Sequence, residues 1–291
     1  MLPFSKIAVL GGRGMLGTEL CCQLAARGVT VTAYDLPEFD ICNESQLADA
    51  VGDADAVVNC AAYTNVDGAE AQPNVAEAVN AGAMTALGEL AARAHTHVIH
   101  VSTDFVFNGA SDRPYNEDDD PSPLSVYGKT KLRGERAVLG ADCPAAVVRV
   151  QWTFGQAGNN FITKFLERVA GGGDLLMVDD QHGAPTWTHD VSHALIELLE
   201  QQTTGLYHFA ASGYTTRYSV AEHILDVLGL KRNLAPCRTA DFPAAAERPL
   251  NSRFDCTKID SILTRPRPAW KDSLTTFLEE LKDNGRIPAP T

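Results

Sequence analysis

A strand, a glycine-rich turn and a helix open this chain, and that combination restricts the fold more than any other stretch. Lys6–Leu10 is a short, mostly apolar run of the kind that is buried on both faces in a parallel sheet. It leads directly into Gly11-Gly12-Arg13-Gly14-Met15-Leu16-Gly17, after which Leu20, Leu24 and Ala25 recur at helical spacing. In that context Gly11 and Gly14 permit a tight turn and close approach of a pyrophosphate. Gly17 lets the helix pack near the strand, and the helix start at Met15 and Leu16 offers its amides and its dipole to phosphate.

The next apolar strand, Val29–Tyr34, ends at Asp35. An acid there accepts bonds from adenosine ribose hydroxyls and repels a 2′-phosphate. Arg13 argues the other way, because a loop arginine can pair with that phosphate. The expectation is therefore NADH with NADPH tolerated. Asp40 and Ile41 join the cofactor-binding set. So do Ala61, Ala62 and Tyr63, small residues and an aromatic after strand Ala56–Cys60, at the sheet edge where open α/β folds bind ligands.

Strand Val98–Val101 delivers Thr103 to the same edge, and Tyr127 and Lys131 follow four positions apart. On a helix those two share a face, and a lysine cation beside a phenol favours the phenolate. Such a pair can pass a proton to or from an alcohol oxygen. His100, alternating with apolar neighbours, reads as a satisfied core histidine. The stretch Asn108–Ser125 reads as a loop, and its acids Glu117-Asp118-Asp119-Asp120 read as solvated rather than as a metal cluster. Val75–Ala94 reads as one long helix.

Alternating strands and helices over residues 1–150 predict an α/β fold, a doubly wound parallel Rossmann sheet. Beyond Gln151 the pattern loosens. Residues 151–291 are expected to form mainly a second, smaller substrate-binding domain, with a segment of about 186–210 returning to the first. Trp152, Asn160 and Arg253 are candidate contacts there: a stacking ring, a helix-start asparagine for diphosphate and a phosphate-pairing guanidinium. A net charge of −13 argues against a nucleic-acid surface or an anionic membrane, and no stretch is apolar enough to span a bilayer. The start lacks the pattern of a signal peptide. Seven scattered cysteines without Cys-x-x-Cys spacing fit a reducing cytoplasm.

Several blocks, taken together, resemble the dTDP-4-dehydrorhamnose reductase family of extended short-chain dehydrogenase/reductases. They are the glycine loop, Asn59–Asp67, Ser102-Thr103-Asp104-Phe105-Val106-Phe107, Tyr127-x-x-x-Lys131, Gly158–Phe161, Val178–Thr186 and Arg248–Arg253. Met15 departs from it where glutamine is common, and Val150-Gln151 replaces smaller residues before Trp152. The resemblance implies reduction of the 4-keto group of a dTDP-sugar with NADH or NADPH. Tyr127 would be the proton donor, Lys131 would lower the tyrosine pKa and hold the nicotinamide ribose, and Thr103 would bind the sugar oxygen. Asp104 and Phe105 would line the substrate site. It also allows a homodimer, and a magnesium ion through Glu19. His189 or Asp190 stands where further acids are expected, so no metal is assigned. Related dehydratases carry an Asp-Glu pair after the threonine; Asp104-Phe105 lacks the second acid, which disfavours dehydration. A sugar-nucleotide epimerase and a non-catalytic regulatory subunit are the remaining alternatives, and the intact Thr103/Tyr127/Lys131 set speaks against the second.

Overall fold

The apolar runs become the strands of a six-stranded, all-parallel sheet in the computed structural model, which describes residues 2–242 and 244–287. Its strands are β1 (Lys6–Leu10), β2 (Thr30–Tyr34), β3 (Ala56–Asn59), β4 (His97–Thr103), β5 (Ala145–Val150) and β6 (Gly205–Phe209), in the order β6-β5-β4-β3-β1-β2. Because side chains alternate along a strand, β1 sends Ile7 and Val9 to one face and Ala8 and Leu10 to the other. The first pair packs with Leu20 and Leu24 of helix Met15–Ala26 and with Val191 and Leu195 of helix Thr188–Glu200. The second pair packs with Leu47, Met84, Leu87 and Val138 from three helices on the opposite side. Both faces are thus covered, as a parallel sheet requires.

Strand order reverses between β1 and β3, so the crevice lies beyond the carboxyl ends of those two strands. Gly11 fits only there. Its φ is +73°, and a Cβ on it would come within 2.6 Å of the Ala61 amide nitrogen. The loop is held to β2 by the Gly11 and Gly12 amides, which donate to the Tyr34 carbonyl at 2.8 and 3.1 Å.

The stretch expected as one long helix is interrupted. Pro73–Glu77 and Ala83–Ala94 are α-helical, and Ala78–Gly82 between them forms a π-helical turn. That turn carries the buried Asn80, whose amide clamps the backbone of Tyr63 and donates to Thr130 at 3.1 Å. π-turns collect at functional sites, and this one abuts the loop after β3.

A second apolar core gathers helices Phe161–Ala170, Arg217–Leu228 and Trp270–Asp283 around Phe165, Ile224, Trp270 and Phe277. Two short strands, Leu175–Val178 and Leu234–Cys237, pair in parallel beside it. The sixth strand of the main sheet, β6, comes from the chain between these elements and pairs with β5. No helix among the described residues is long and apolar enough to cross a membrane.

Candidate active site

The carboxyl ends of β1, β3 and β4 converge on the glycine loop and on helix Val126–Leu139. Gly14 caps helix Met15–Ala26 and, having no side chain, leaves the Met15, Leu16 and Gly17 amides without a protein acceptor among the described residues. Gly17 has no room for a Cβ, which would overlap the Gly11 carbonyl. A turn this close to a helix start, with free amides, suits a dinucleotide pyrophosphate. Asp35 accepts from the Arg13 amide at 2.9 Å and from the Leu36 amide at 2.9 Å, closing the loop onto the end of β2. The Arg13 guanidinium meets Glu38 at 2.6 Å on the surface rather than standing free. Asp40 caps a local turn through the Cys42 amide at 2.9 Å, and Ile41 is buried beside Phe39.

Thr103 ends β4, and its hydroxyl donates to Asp104 at 3.0 Å. Tyr127 and Lys131 lie on the buried face of helix Val126–Leu139, which Ser125 caps through the Gly128 amide. Gly128 explains how that helix comes so near: any side chain there would overlap the Phe105 carbonyl. Phe105 in turn sets its ring edge-on to Tyr127, with centroids 5.5 Å apart.

The electrostatics correct one expectation. Burial pushes the Tyr127 phenol up to about 12, against a smaller opposing effect of the Thr103 hydroxyl. Lys131 has no resolved part in that shift, and its amino group is bonded elsewhere. Nζ lies 2.7 Å from the Val101 carbonyl and 3.2 Å from His100 Nε2, and burial brings the lysine itself down to about 8. Tyr127 is therefore held as the neutral phenol. His100, read from the sequence as core, is fully buried as expected, yet it touches Lys131.

A groove of about 830 Å³ runs from this point between Phe105, Trp152, Phe161, Arg217, Arg248 and Ser252. Trp152 adopts a left-handed backbone (φ 46°) and carries the Arg217 guanidinium 3.7 Å above its ring. Arg217 has no hydrogen-bonded carboxylate among the described residues, while Arg248 pairs with Asp67 at 2.7 Å. Asp104 is joined to the far wall by Ser252, whose hydroxyl donates to it at 2.5 Å; burial raises this carboxyl and those two hydroxyl bonds pull it back.

Two expected substrate contacts are corrected. Asn160 is the N-cap of helix Phe161–Ala170, its oxygen accepting from the Ile162 and Thr163 amides at 3.0 and 3.1 Å. Its amide nitrogen donates to the Gly155 carbonyl at 3.0 Å and faces Met15 Sδ at 3.7 Å, so both of its protons are turned into the fold. Arg253 donates to Asn251 and to the Asp112 carbonyl and so pins the loop that ends at Ser125. Arg217 and Arg248 are the guanidiniums that line the groove instead. Arg217 follows a Thr-Thr capping pair with no phosphate-binding pattern, so only the fold reveals its role. Within the loop Asp119 pairs with Arg113 and Glu117 accepts from the His208 amide. Glu19 accepts from Gln23 at 2.8 Å, and among the described residues no three His, Cys, Asp or Glu side chains group to hold a metal.

Residues 5–283 match the family model described as the RmlD substrate binding domain. The chain belongs to the dTDP-4-dehydrorhamnose reductase family. Members of that family from Mycolicibacterium smegmatis and Sinorhizobium fredii are 37% and 34% identical to it. The alignments cover 92% of this chain with 84% of the first, and 97% with 99% of the second. Among solved structures, the dTDP-4-dehydrorhamnose reductase of Clostridium acetobutylicum superposes with a TM-score of 0.91 at 32% identity, covering 95% of this chain and 99% of that one. The enzyme of Bacillus anthracis, solved with NADP, gives the same TM-score at 29% identity over the same shares. The reductase family is NAD(P)H-dependent, in keeping with the free amides and tight glycine loop of this chain.

Proposed function

We propose that this chain reduces the 4-keto group of dTDP-4-dehydro-L-rhamnose to give dTDP-L-rhamnose, as a cytoplasmic enzyme using NADH or NADPH. The observation that carries the reading is the gathering of Thr103, a protonated Tyr127 and Lys131 near the glycine loop, with Phe105 rather than a second acid after Asp104. The loop amides of Met15–Gly17, with Asp35 at the end of β2, would hold the cofactor, which when bound supplies the hydride. Tyr127, protonated at neutral pH, donates its phenolic proton to the developing alkoxide, with the Thr103 hydroxyl opposing the rise that burial causes. Thr103, oriented by Asp104, bonds the same oxygen. Lys131 holds the nicotinamide ribose. Trp152 and Phe105 wall the hexose, and Arg217, with Arg248 held in place by Asp67, supplies positive charge for the diphosphate. Residues 151–291 then serve mainly as the sugar-nucleotide half, less the segment of about 186–210 that builds on the Rossmann half.

The test supplies the keto-sugar nucleotide with each reduced cofactor. One cofactor should be oxidised per rhamnosyl product, and Tyr127→Phe should reduce turnover about 10²–10⁴-fold with cofactor affinity retained. Sugar conversion without net cofactor oxidation would identify an epimerase instead.

A further inference from the structure

His100 stands in the middle of β4 opposite Asn59 of β3, its neighbour in the parallel register. Both side chains are fully buried. The Asn59 amide has its direction set by the backbone, because the Ala61 amide donates to Oδ1 at 3.1 Å. The flipped amide would set donor against donor. Nδ2 therefore faces His100 Nδ1, at 2.9 Å, and an amide nitrogen only donates. Nδ1 must accept, which puts the single proton of the neutral ring on Nε2.

Nε2 lies 3.2 Å from Lys131 Nζ, and Nζ also donates to the Val101 carbonyl at 2.7 Å. An ammonium has no lone pair and cannot receive the Nε2 proton, whereas a neutral amine can. The chain from Ala61 through Asn59 and His100 to Lys131 closes only when the lysine carries two protons. We propose that His100 favours Lys131 as the neutral amine in the cofactor-free protein, so that at mildly alkaline pH cofactor binding is coupled to uptake of a solvent proton at Nζ.

The surroundings agree. Burial acts in the same direction, and His100 is itself held neutral mainly by burial. Of the groups facing Nζ, Glu135 on the same helix favours the ammonium, but it is bound up with Arg149 at 2.6 Å. The Cys60 thiol after β3 is pushed up to about 12 and uncharged, and Tyr127 one turn earlier is a neutral phenol. Cofactor would bring ribose hydroxyls that accept from Nζ and two pyrophosphate charges that favour the cation. The inference thus rests on the reading of Lys131 as the ribose ligand, and it makes His100 a positioning residue.

The experiment measures protons taken up when NADH binds the whole protein, by calorimetry in two buffers of different ionisation enthalpy. The wild type should take up more than half a proton per site near about pH 8.5 and almost none near about pH 6.5. His100→Gln, which can offer an amide oxygen to an ammonium, should move the onset up by about one pH unit or more. Asn59→Asp keeps the shape but makes the residue an acceptor. The imidazole proton moves to Nδ1, and the uptake near about pH 8.5 should vanish. A merely structural His100 would weaken binding equally at every pH and leave the onset unmoved. Uptake-free binding by the wild type, or both variants following the wild-type profile, overturns the proposal. Failure of the wild type to bind NADH at all would instead count against the cofactor reading.

Discussion

Two buried basic side chains flank β4, and only one of them is matched by a carboxylate. Arg149 on β5 meets Glu135 through two bonds of 2.9 and 2.6 Å, and Ser102 donates to the same carboxylate at 2.5 Å. Its remaining guanidinium nitrogen donates to His208 Nε2 at 3.3 Å, so His208 Nδ1 carries the proton and donates to the Tyr115 carbonyl at 3.1 Å. Each guanidinium nitrogen there meets an acceptor. Lys131, one helical turn before Glu135, has a carbonyl and a histidine but no carboxylate. A matched charge is scaffold, whereas an unmatched one remains free to change its proton count or take a ligand. The fold therefore separates rigidity from chemistry across one strand.

The largest effect should come from breaking the matched side. Arg149→Met leaves Glu135 as an uncompensated buried charge and should cost about 3–5 kcal/mol in urea unfolding. Lys131→Met should do the reverse, lowering turnover by about 10²–10³-fold while changing unfolding free energy by no more than about 1 kcal/mol near neutrality. Equal stability losses in the two variants would erase the distinction.

Acid sharpens the comparison further. Burial, reinforced by Arg149, lowers His208 to about 3, so between its ordinary value of about 6.5 and that point the unfolded chain binds a proton that the native one refuses. Stability should then fall as pH drops below about 6.5, by up to about 1.4 kcal/mol per pH unit from this residue, and His208→Gln should flatten the slope. Ser102→Ala removes one of several donors to Glu135 and should cost about 1–2 kcal/mol. Smallest of all, Glu38→Gln breaks only the exposed pair with Arg13. Urea unfolding should be unchanged within error, while the freed guanidinium shifts the KM ratio toward NADPH.

Much of this is legible in the sequence alone. The strand–glycine–helix opening, the Thr103/Tyr127/Lys131 set and the alternation of elements are local patterns, and local patterns survive in a sequence. What was not legible depends on register and on contacts across the fold. His100 looks like core because it is core; that it touches Lys131 follows from how β3 and β4 align and how helix Val126–Leu139 lies against them. Arg217 stacks on Trp152 across 65 positions of sequence, a partnership no spacing rule encodes. Asn160 and Arg253 erred in the other direction. Their residue types suit phosphate, but nearby backbone groups claim the same donors first.

The π-turn at Ala78–Gly82 has a consequence for how the chain can change in length. Its bulge sets the rotation at which helix Ala83–Ala94 leaves the turn, and so aims Met84, Leu87 and Ala91 at the sheet. Removing one residue there would rotate everything beyond it by about 100° and bring polar positions against the sheet. It would also withdraw the Asn80 amide from Tyr63. Insertions and deletions among relatives should therefore collect in stretches such as Gly171-Gly172-Gly173, where added side chains meet little or nothing, and avoid this turn.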